Sequence, residues 1–270
     1  MSSQSYLIIG AGVFGVSTAY HLIQKHPDAL VTIVDRDAYD AESRVAASWD
    51  WNKVVRADYD DLIYCKLAIE AQGVFTSDPL WRPFFHETGV YWICRSSYAR
   101  DVLENYRKLG RRAEMAALSV EEARKLYGGL FDEANYDGCT EVLINKTSGW
   151  AAAGDCLRAV TRRAIELGVK YVTADVATLT FGKAGACTGI KTVTGDILSA
   201  DKVVLCTGAY TARLLEYSAA TSGNPELRAG DRIVAGGITT GMHKLDEETY
   251  KTFANMPVGF QGYPANIGEC

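Results

Sequence analysis

The chain opens with an apolar strand, a glycine-rich turn and an amphipathic helix. Residues 6–9 form a short apolar run, which is typical of a buried strand, and residues 16–25 carry apolar side chains at helical spacing. A second apolar run follows at residues 30–34. This alternation of strand, helix and strand with short connections predicts parallel strands joined by a right-handed crossover.

The pattern after residue 60 is more mixed. Helices are predicted over residues 60–75, 98–109 and 155–167, and one more begins at Ser119, which forms a capping-box pair with Glu122 and predicts a helix that ends near Gly128. Strands are predicted at 87–94, 169–173, 176–181, 188–193 and 202–206, with the third and fourth forming a hairpin-like pair. The tail, residues 218–270, is glycine-rich and has few long periodic segments.

Composition and charge narrow the class of protein. A chain of 270 residues with 48% hydrophobic residues can bury a sizeable core. Its net charge of -5, with both signs mixed along the chain, argues against a nucleic-acid partner. The polar start and short apolar runs predict no membrane span, so we expect a cytoplasmic protein. Seven scattered cysteines without a Cys-x-x-Cys pair favour reduced thiols and no metal site.

The first turn has the spacing of a dinucleotide-binding motif, G-x-G-x-x-G. Gly10 permits the tight turn, Gly12 lets the backbone approach a diphosphate, and Gly15 allows close packing of helix on strand. Val13 and Phe14 complete the motif where the helix directs its free N–H groups at the phosphates. A glycine-rich turn can also arise from packing alone, so the motif gains weight from its position between strand and helix.

An acidic residue ends the second strand. Asp35 stands where a carboxylate can accept both ribose hydroxyls, although an aspartate here can also simply begin a turn. A carboxylate favours an unphosphorylated ribose, hence FAD or NAD over NADP. The adjacent Arg36, which we include among the expected cofactor contacts, weakens that exclusion.

These features predict an α/β fold, with a Rossmann-like nucleotide-binding domain and an inserted, discontinuous α+β substrate domain. We place the nucleotide domain at residues 1–80 and 146–217. The second domain then takes residues 81–145 and 218–270, and we expect its last segment to be incomplete.

A family resemblance appears at Ala46-Ala47-Ser48-Trp49-Asp50-Trp51-Asn52-Lys53-Val54-Val55-Arg56. This segment resembles that of the fructosyl amino acid oxidases, the saccharopine and pipecolate oxidases, and sarcosine oxidase, in the D-amino-acid-oxidase-like flavoprotein superfamily. The resemblance implies that Ala47 and Ser48 contact the phosphate or ribityl part of FAD, with Asn52 also at the cofactor. It also implies that Lys53 and Arg56 lie near the flavin and substrate. The alternative is that both cations are solvated on an irregular loop.

Two later segments resemble the same superfamily. Residues 168–172, followed by Asp175 and Val176, resemble the strand whose backbone, here at Val176, hydrogen-bonds the adenine. Residues 202–206, followed by Thr207 and Gly208, resemble the third FAD motif of the superfamily. An NAD dehydrogenase has no need of that late strand. Together these segments favour FAD.

The resemblance implies a reaction class. A secondary amine or amino acid would pass its α C–H as hydride to flavin N5, the imine would be hydrolysed, and oxygen would become hydrogen peroxide. Lys53 and Arg56 would anchor a substrate carboxylate or stabilise negative charge. Residues 236–241 depart from the fructosyl amino acid oxidase pattern, which weakens that substrate assignment.

Members of the family run beyond this length, and their C-terminal part supplies a flavin-adjacent lysine, a carboxylate-binding arginine and often a covalent cysteine. None can be assigned here. Some members are peroxisomal, but this sequence does not end in a peroxisomal signal. Two alternatives therefore stay open: a truncated FAD-binding protein without activity, and an NAD-dependent reductase. The oligomeric state is not predicted.

Overall fold

The computed structural model describes residues 3–183, 185–237 and 239–261. The chain divides into two compact units. The first unit takes the described residues up to Trp51 and from Ala153 to Gly237, and the second takes Asn52–Ala152 and the described residues from Thr239 onward.

Both units contain helices and strands. The helices are α1 Val13–Lys25, α2 Leu62–Ser77, α3 Tyr98–Lys108, α4 Val120–Arg124, α5 Ala153–Glu166, α6 Thr211–Ser222 and α7 Glu247–Phe253. The strands are β1 Ser5–Ile9, β2 Leu30–Asp35, β3 Lys53–Val55, β4 Phe85–His86, β5 Val90–Cys94, β6 Met115–Leu118, β7 Glu141–Asn145, β8 Gly149–Ala151, β9 Lys170–Thr173, β10 Val176–Phe181, β11 Cys187–Thr192, β12 Ile197–Ser199, β13 Lys202–Leu205 and β14 Val258–Phe260. Short 3₁₀ turns lie at Arg82–Phe84, Leu126–Gly129, Gly208–Tyr210, Pro225–Leu227 and Gly230–Arg232.

The first unit is built on a parallel sheet with the strand order β13-β1-β2-β9. Three successive residues of β1 are buried, which is expected of a parallel strand covered on both faces. Leu7 and Ile9 pack into a core with Leu179 of β10 and Ile190 of β11, strands that pair antiparallel with each other. The predicted hairpin and the predicted parallel sheet are therefore confirmed.

Helix α1 begins earlier than the sequence predicts. We expected a turn as far as Gly15 and a helix from residue 16, whereas the helix starts at Val13, with Gly12 in the N-cap position. The reason is close packing inside the motif itself. A Cβ on Gly15 would lie 1.8 Å from the carbonyl oxygen of Gly10, so a helix can begin this close to the strand only with glycine there.

The second unit holds a sheet with the strand order β14-β5-β7-β6, in which β14 runs parallel to β5 and the other neighbours are antiparallel. All five residues of β5 are buried. Val90 and Trp92 pack with Cys65 of α2 in one core, and Tyr91 packs with Ile144 in another. Because both faces of β5 are covered, its sequence is a continuous apolar run.

Several predicted elements differ in detail. The strand predicted at 87–94 begins later, as β5 at Val90, directly after Gly89 with φ of +85°, and the separate short strand β4 precedes the predicted stretch. The capping box at Ser119 is confirmed, with both reciprocal hydrogen bonds to Glu122. Helix α4 nevertheless ends at Arg124, well before Gly128, and a 3₁₀ turn with Tyr127 at φ of 54° follows.

The chain passes from one compact unit to the other at positions that differ from the predicted domain limits. We placed the changes after residues 80, 145 and 217, whereas the units change after Trp51, Ala152 and Gly237. Residues 52–80 join the second unit because β3 pairs with β8 and Cys65 of α2 enters the core beneath β5. The assignment of FAD and substrate binding to parts of the chain stays a prediction.

Two kinds of feature are absent from the described ranges. No helix in them combines the length and apolar character needed to cross a bilayer. Likewise, no group of three or more His, Cys, Asp or Glu residues there is arranged to hold a metal ion.

Candidate functional site

The carboxyl ends of β1, β2 and β13 meet at one edge of the parallel sheet, where ligands of such folds bind. Gly10 follows β1, and its N–H donates to the carbonyl of Val34 at 2.8 Å. Gly10 has φ of +98°, and a Cβ on it would lie 2.4 Å from the carbonyl oxygen of Cys206 and 3.2 Å from the nitrogen of Thr207. The turn therefore touches the end of β13 at backbone distance.

The start of α1 is suited to an anion. Its first turn contains no acidic residue, and no side chain caps it from the Gly12 position. The N–H of Val13 donates to Ser48 Oγ at 3.0 Å, which brings the predicted phosphate-binding segment against the motif. Val13 and Phe14 are both exposed. The positive end of the helix dipole thus has no charged partner in its own first turn.

Asp35 faces this turn from the end of β2. Its Oδ2 accepts the N–H of Ala11 at 2.6 Å, and its Oδ1 accepts the N–H of Asp37 at 3.0 Å. The guanidinium of Arg44 lies 3.5 Å from Oδ1, and the Asp35 side chain is 15% exposed. The carboxylate is therefore held by backbone and cation, with part of its surface open.

Arg36 points elsewhere. Its Nη2 donates to the hydroxyl of Tyr210 at 3.1 Å, and its guanidinium lies 4.5 Å from the centroid of that ring. The hydrogen bond to Tyr210 raises the pKa of Arg36 above its ordinary value. Its side chain is thus already engaged by an aromatic partner.

The remaining predicted positions of the first unit lie at strand ends or beside the motif. Thr207 follows β13 and its Oγ1 is 2.8 Å from Thr211 Oγ1, while Gly208 has φ of +52° and begins a 3₁₀ turn. Val176 opens β10 opposite Thr192. Ala47 is exposed beside half-buried Ser48. Among all the predicted positions of the first unit, Ser48, Asp35 and Thr207 lie in direct contact with the glycine turn.

Asn52, Lys53 and Arg56 belong to the second unit. Asn52 and Lys53 are exposed, and Lys53 opens β3 opposite Ala151. Arg56 is half-buried among aromatic rings, with its guanidinium 4.1 Å from the Tyr59 centroid and 4.7 Å from that of Trp92. The alternative of a solvated cation on an irregular loop is therefore wrong for Arg56.

Sequence reasoning missed a buried carboxylate that follows Arg56. Asp58 is fully buried, and it accepts hydrogen bonds from Asn145 Nδ2 at 2.6 Å and Ser148 Oγ at 2.8 Å. Its backbone carbonyl accepts hydrogen bonds from Arg56 and from the hydroxyl of Tyr98. Burial raises the pKa of Asp58 above its ordinary value. This network fixes the turn that carries Arg56.

Arg44 was missed as well. Its side chain is only 1% exposed and reaches both Asp35 and the carbonyl of Ala11, the latter at 3.1 Å. In the sequence it follows Glu42 and Ser43 in a segment without helix or strand periodicity, where an arginine is usually solvated. No local signal marks either Arg44 or Asp58 as buried, because both are buried by contacts with distant segments.

The described edge fits an adenine dinucleotide. Such a ligand requires a glycine turn at backbone distance from the neighbouring strand, a helix start without an acidic residue in its first turn, and a carboxylate held beside the turn. The chain's role there would be to bind and orient the nucleotide.

Replacement of Gly10 by alanine tests the close approach. Gly195 has φ of +97° in open space, so Gly195→Ala should cost only the backbone strain of about 1–2 kcal/mol. Gly10→Ala adds a collision with the Cys206 carbonyl, so it should lose more stability and abolish dinucleotide binding. Urea unfolding and titration with FAD measure both effects. Equal losses in the two variants would contradict a site at this turn.

Asp58 should make stability depend on pH. Because its pKa is raised in the folded state, that state holds a proton that the unfolded chain releases at lower pH. The stability of the wild type relative to Asp58→Asn should therefore be greatest at and below its ordinary pKa of 3.8 and should fall as the pH rises from there to the raised pKa. Urea unfolding from about pH 2 to about pH 8 measures this.

Asp201 is the control for that experiment, since its hydrogen bonds to Ser5 lower its pKa. Its contribution should be present above the unfolded pKa and be lost as the pH falls, which is the opposite trend. A difference between the wild type and Asp58→Asn that does not change with pH would show that the pKa of Asp58 is the same in the folded and unfolded states.

Known proteins are similar in sequence to most of this chain. L-saccharopine oxidase of Schizosaccharomyces pombe is 32% identical over 282 residues, which cover 96% of this chain and 60% of that protein. The amino acid oxidase fsqB of Aspergillus fumigatus is 28% identical over 78% of this chain and 50% of its own length. Among solved structures, fructosamine oxidase (Amadoriase II) of Aspergillus fumigatus in complex with FSA is 30% identical and superposes with a TM-score of 0.62 over 79% of this chain and 50% of that one.

The chain thus spans 50–60% of the length of these curated relatives. The sequence pattern that defines the DAO family, described as FAD dependent oxidoreductase, matches residues 5–239. That match includes the glycine turn, Asp35, the segment from Ala47 to Arg56 and the strand before Thr207. This chain therefore belongs to the DAO family of FAD-dependent oxidoreductases.

Proposed function

We propose that this chain binds FAD at the carboxyl edge of its parallel sheet and is part of an amine or amino acid oxidase. The reaction would convert the C–N bond of a secondary amine or N-substituted amino acid into an imine, with oxygen reduced to hydrogen peroxide. The observation that carries the proposal is the contact of the glycine turn with Asp35, Ser48 and the end of β13, in a chain whose family uses FAD.

Each part of the edge would hold one part of the cofactor. Gly10, Gly12 and the first N–H groups of α1, including those of Phe14 and Gly15, would face the diphosphate. Asp35 would accept the adenosine ribose hydroxyls with the part of its carboxylate that is open. The other proposed cofactor contacts are Ala47, Ser48, Asn52, Val176, Thr207 and Gly208. Arg36, which follows Asp35 in the chain, is also a proposed contact.

FAD, when bound, supplies the electron acceptor for the amine. The chain's own task is to place the substrate and to supply fixed charge. Lys53 is exposed at the start of β3, so its ammonium can approach a substrate carboxylate or developing negative charge. Arg56 is held by aromatic rings and by the carbonyl of Asp58, which favours a fixed electrostatic contribution over a mobile contact.

The relatives support an amino acid as the substrate class. One of them is named for saccharopine, two amino acid oxidases of Aspergillus species are named without a substrate, and the solved structures include fructosyl peptide oxidases. Saccharopine, pipecolate, sarcosine and fructosyl amino acids share a nitrogen that carries a second carbon substituent. We therefore propose that feature as what the site accepts.

A second function is FAD binding without catalysis. The chain spans 50–60% of the length of these relatives, so the oxidase activity of the whole relatives does not by itself extend to it, whereas the nucleotide edge lies within the described residues. An NAD-dependent reductase has lost its support, since the family uses FAD.

The purified chain, loaded with FAD, separates these functions. Bound flavin should absorb at about 450 nm. Under anaerobic conditions, saccharopine, pipecolate, sarcosine or a fructosyl amino acid should bleach that band, and oxygen should restore it with release of peroxide. Stable flavin that none of the four substrates bleaches would support binding without catalysis, and a failure to retain FAD would contradict both functions.

Replacement of Lys53 by methionine tests its proposed role. Loss of the ammonium should slow flavin reduction or reoxidation by about tenfold or more, since one fixed charge near a developing charge has effects of that size. Lys66→Met is the control, because Lys66 is an exposed lysine of α2 in the same unit. Stopped-flow absorbance gives both rates. Unchanged rates in Lys53→Met would remove Lys53 from the site.

A further inference from the structure

Arg44 is a fully buried cation in a loop of polar sequence. Its side chain is 1% exposed, and a guanidinium stays charged at any pH that a protein tolerates. Removing such a charge from water is costly unless it is paired and hydrogen-bonded. Arg44 Nε and Nη1 have no hydrogen-bond partner in the described part of the chain. A side chain placed only for stability would be apolar here, so the arginine calls for another explanation.

Its one engaged nitrogen acts at the glycine turn. Arg44 Nη2 donates to the carbonyl of Ala11 at 3.1 Å and lies 3.5 Å from Asp35 Oδ1. The N–H of the same Ala11 donates to Asp35 Oδ2. Two opposite charges thus hold the N–H and the carbonyl of one residue, the middle residue of Gly10-Ala11-Gly12.

The arrangement fixes the carboxylate of Asp35. Three contacts restrict its rotation: the N–H groups of Ala11 and Asp37, and the guanidinium of Arg44. A carboxylate has about four acceptor positions, so at least one stays available on the part of the group that is open. The cation also balances the charge of Asp35, which would otherwise repel a nearby diphosphate.

The loop is closed so that Arg44 can reach this position. The N–H of Val45 donates to Asp37 Oδ2 at 3.0 Å, which ties the residue after Arg44 back to the end of β2. The ring of Trp49 lies 5.9 Å from the Arg44 guanidinium and 4.9 Å from that of Arg158. The backbone that follows Arg44 is therefore anchored within the first unit, and the Arg44 guanidinium lies beside the Trp49 ring.

We propose that Arg44 is a positioning residue for the adenosine ribose of FAD: it holds the Asp35 carboxylate and the Ala11 peptide in the geometry that accepts the ribose hydroxyls. This inference rests on the proposed placement of FAD at this edge. It assigns Arg44 no contact with substrate and no part in the redox step.

The test compares two ligands on the apoprotein. One is FAD, and the other is the FAD analogue whose adenosine lacks both ribose hydroxyls; quenching of flavin fluorescence gives each dissociation constant. The wild type should prefer FAD by about tenfold or more, the effect of a hydrogen bond to a charged group. Asp35→Asn should lose that preference. Arg44→Met should lose it too, because its affinity for FAD should fall by about tenfold more than its affinity for the analogue.

Arg158→Met is the matched control. Arg158 touches the same indole, but its ion pair is with Asp155 at 2.8 Å, so its loss should leave the preference intact. If Arg44→Met does not fold, Arg44→Gln, which is neutral and polar, is measured with the same two ligands and the same expected result.

Three results would overturn the inference. Arg44→Met or Arg44→Gln could keep the preference for FAD. Either variant could also bind both ligands more weakly by the same factor, as a general loss of structure would cause. The wild type could also bind both ligands equally, which would leave FAD binding standing and remove the ribose contact. Failure of the wild type to bind either ligand would instead contradict the proposed function.

Discussion

Backbone contact between the first glycine turn and the end of β13 is the constraint on which the nucleotide edge depends. Gly10 lies so close to Cys206 that no side chain fits between them, and α1 begins so close to Gly10 that Gly15 is required as well. These two approaches set the position of the helix start relative to the strand ends. Asp35 and Ser48 can reach the turn only because it is held there.

The charges around the glycine turn also suit the nucleotide edge to an anionic ligand. The helix start has no acidic residue in its first turn, and the carboxylate that faces it is matched by a buried guanidinium. The site therefore presents N–H groups and a balanced ion pair to an anionic ligand. In the second unit, the contacts that hold Arg56 are of another kind. Aromatic rings and a peptide carbonyl hold its guanidinium, and the buried carboxylate of Asp58 holds the turn that follows.

Local patterns predicted the parts of this structure that local physics determines. The strands β1 and β2, the hairpin of β10 and β11, and the capping box at Ser119 were found because alternation, apolar runs and caps are visible within a few residues. The limits of the two units were not found, because they depend on the pairing of β3 with β8 across about a hundred positions. Arg44 and Asp58 escaped notice for the same reason.

The parallel sheet also sets an order for folding during synthesis. The N–H of Ser5 bonds to Asp201, 196 positions later, and β1 pairs with β13 over the same span. Residues 52–152, by contrast, form a continuous stretch of the second unit. On a ribosome that stretch can reach its own contacts while β1 still waits for β13. The nucleotide edge is therefore among the last parts to close, and until then one edge of β1 is unpaired and its apolar residues are open to aggregation.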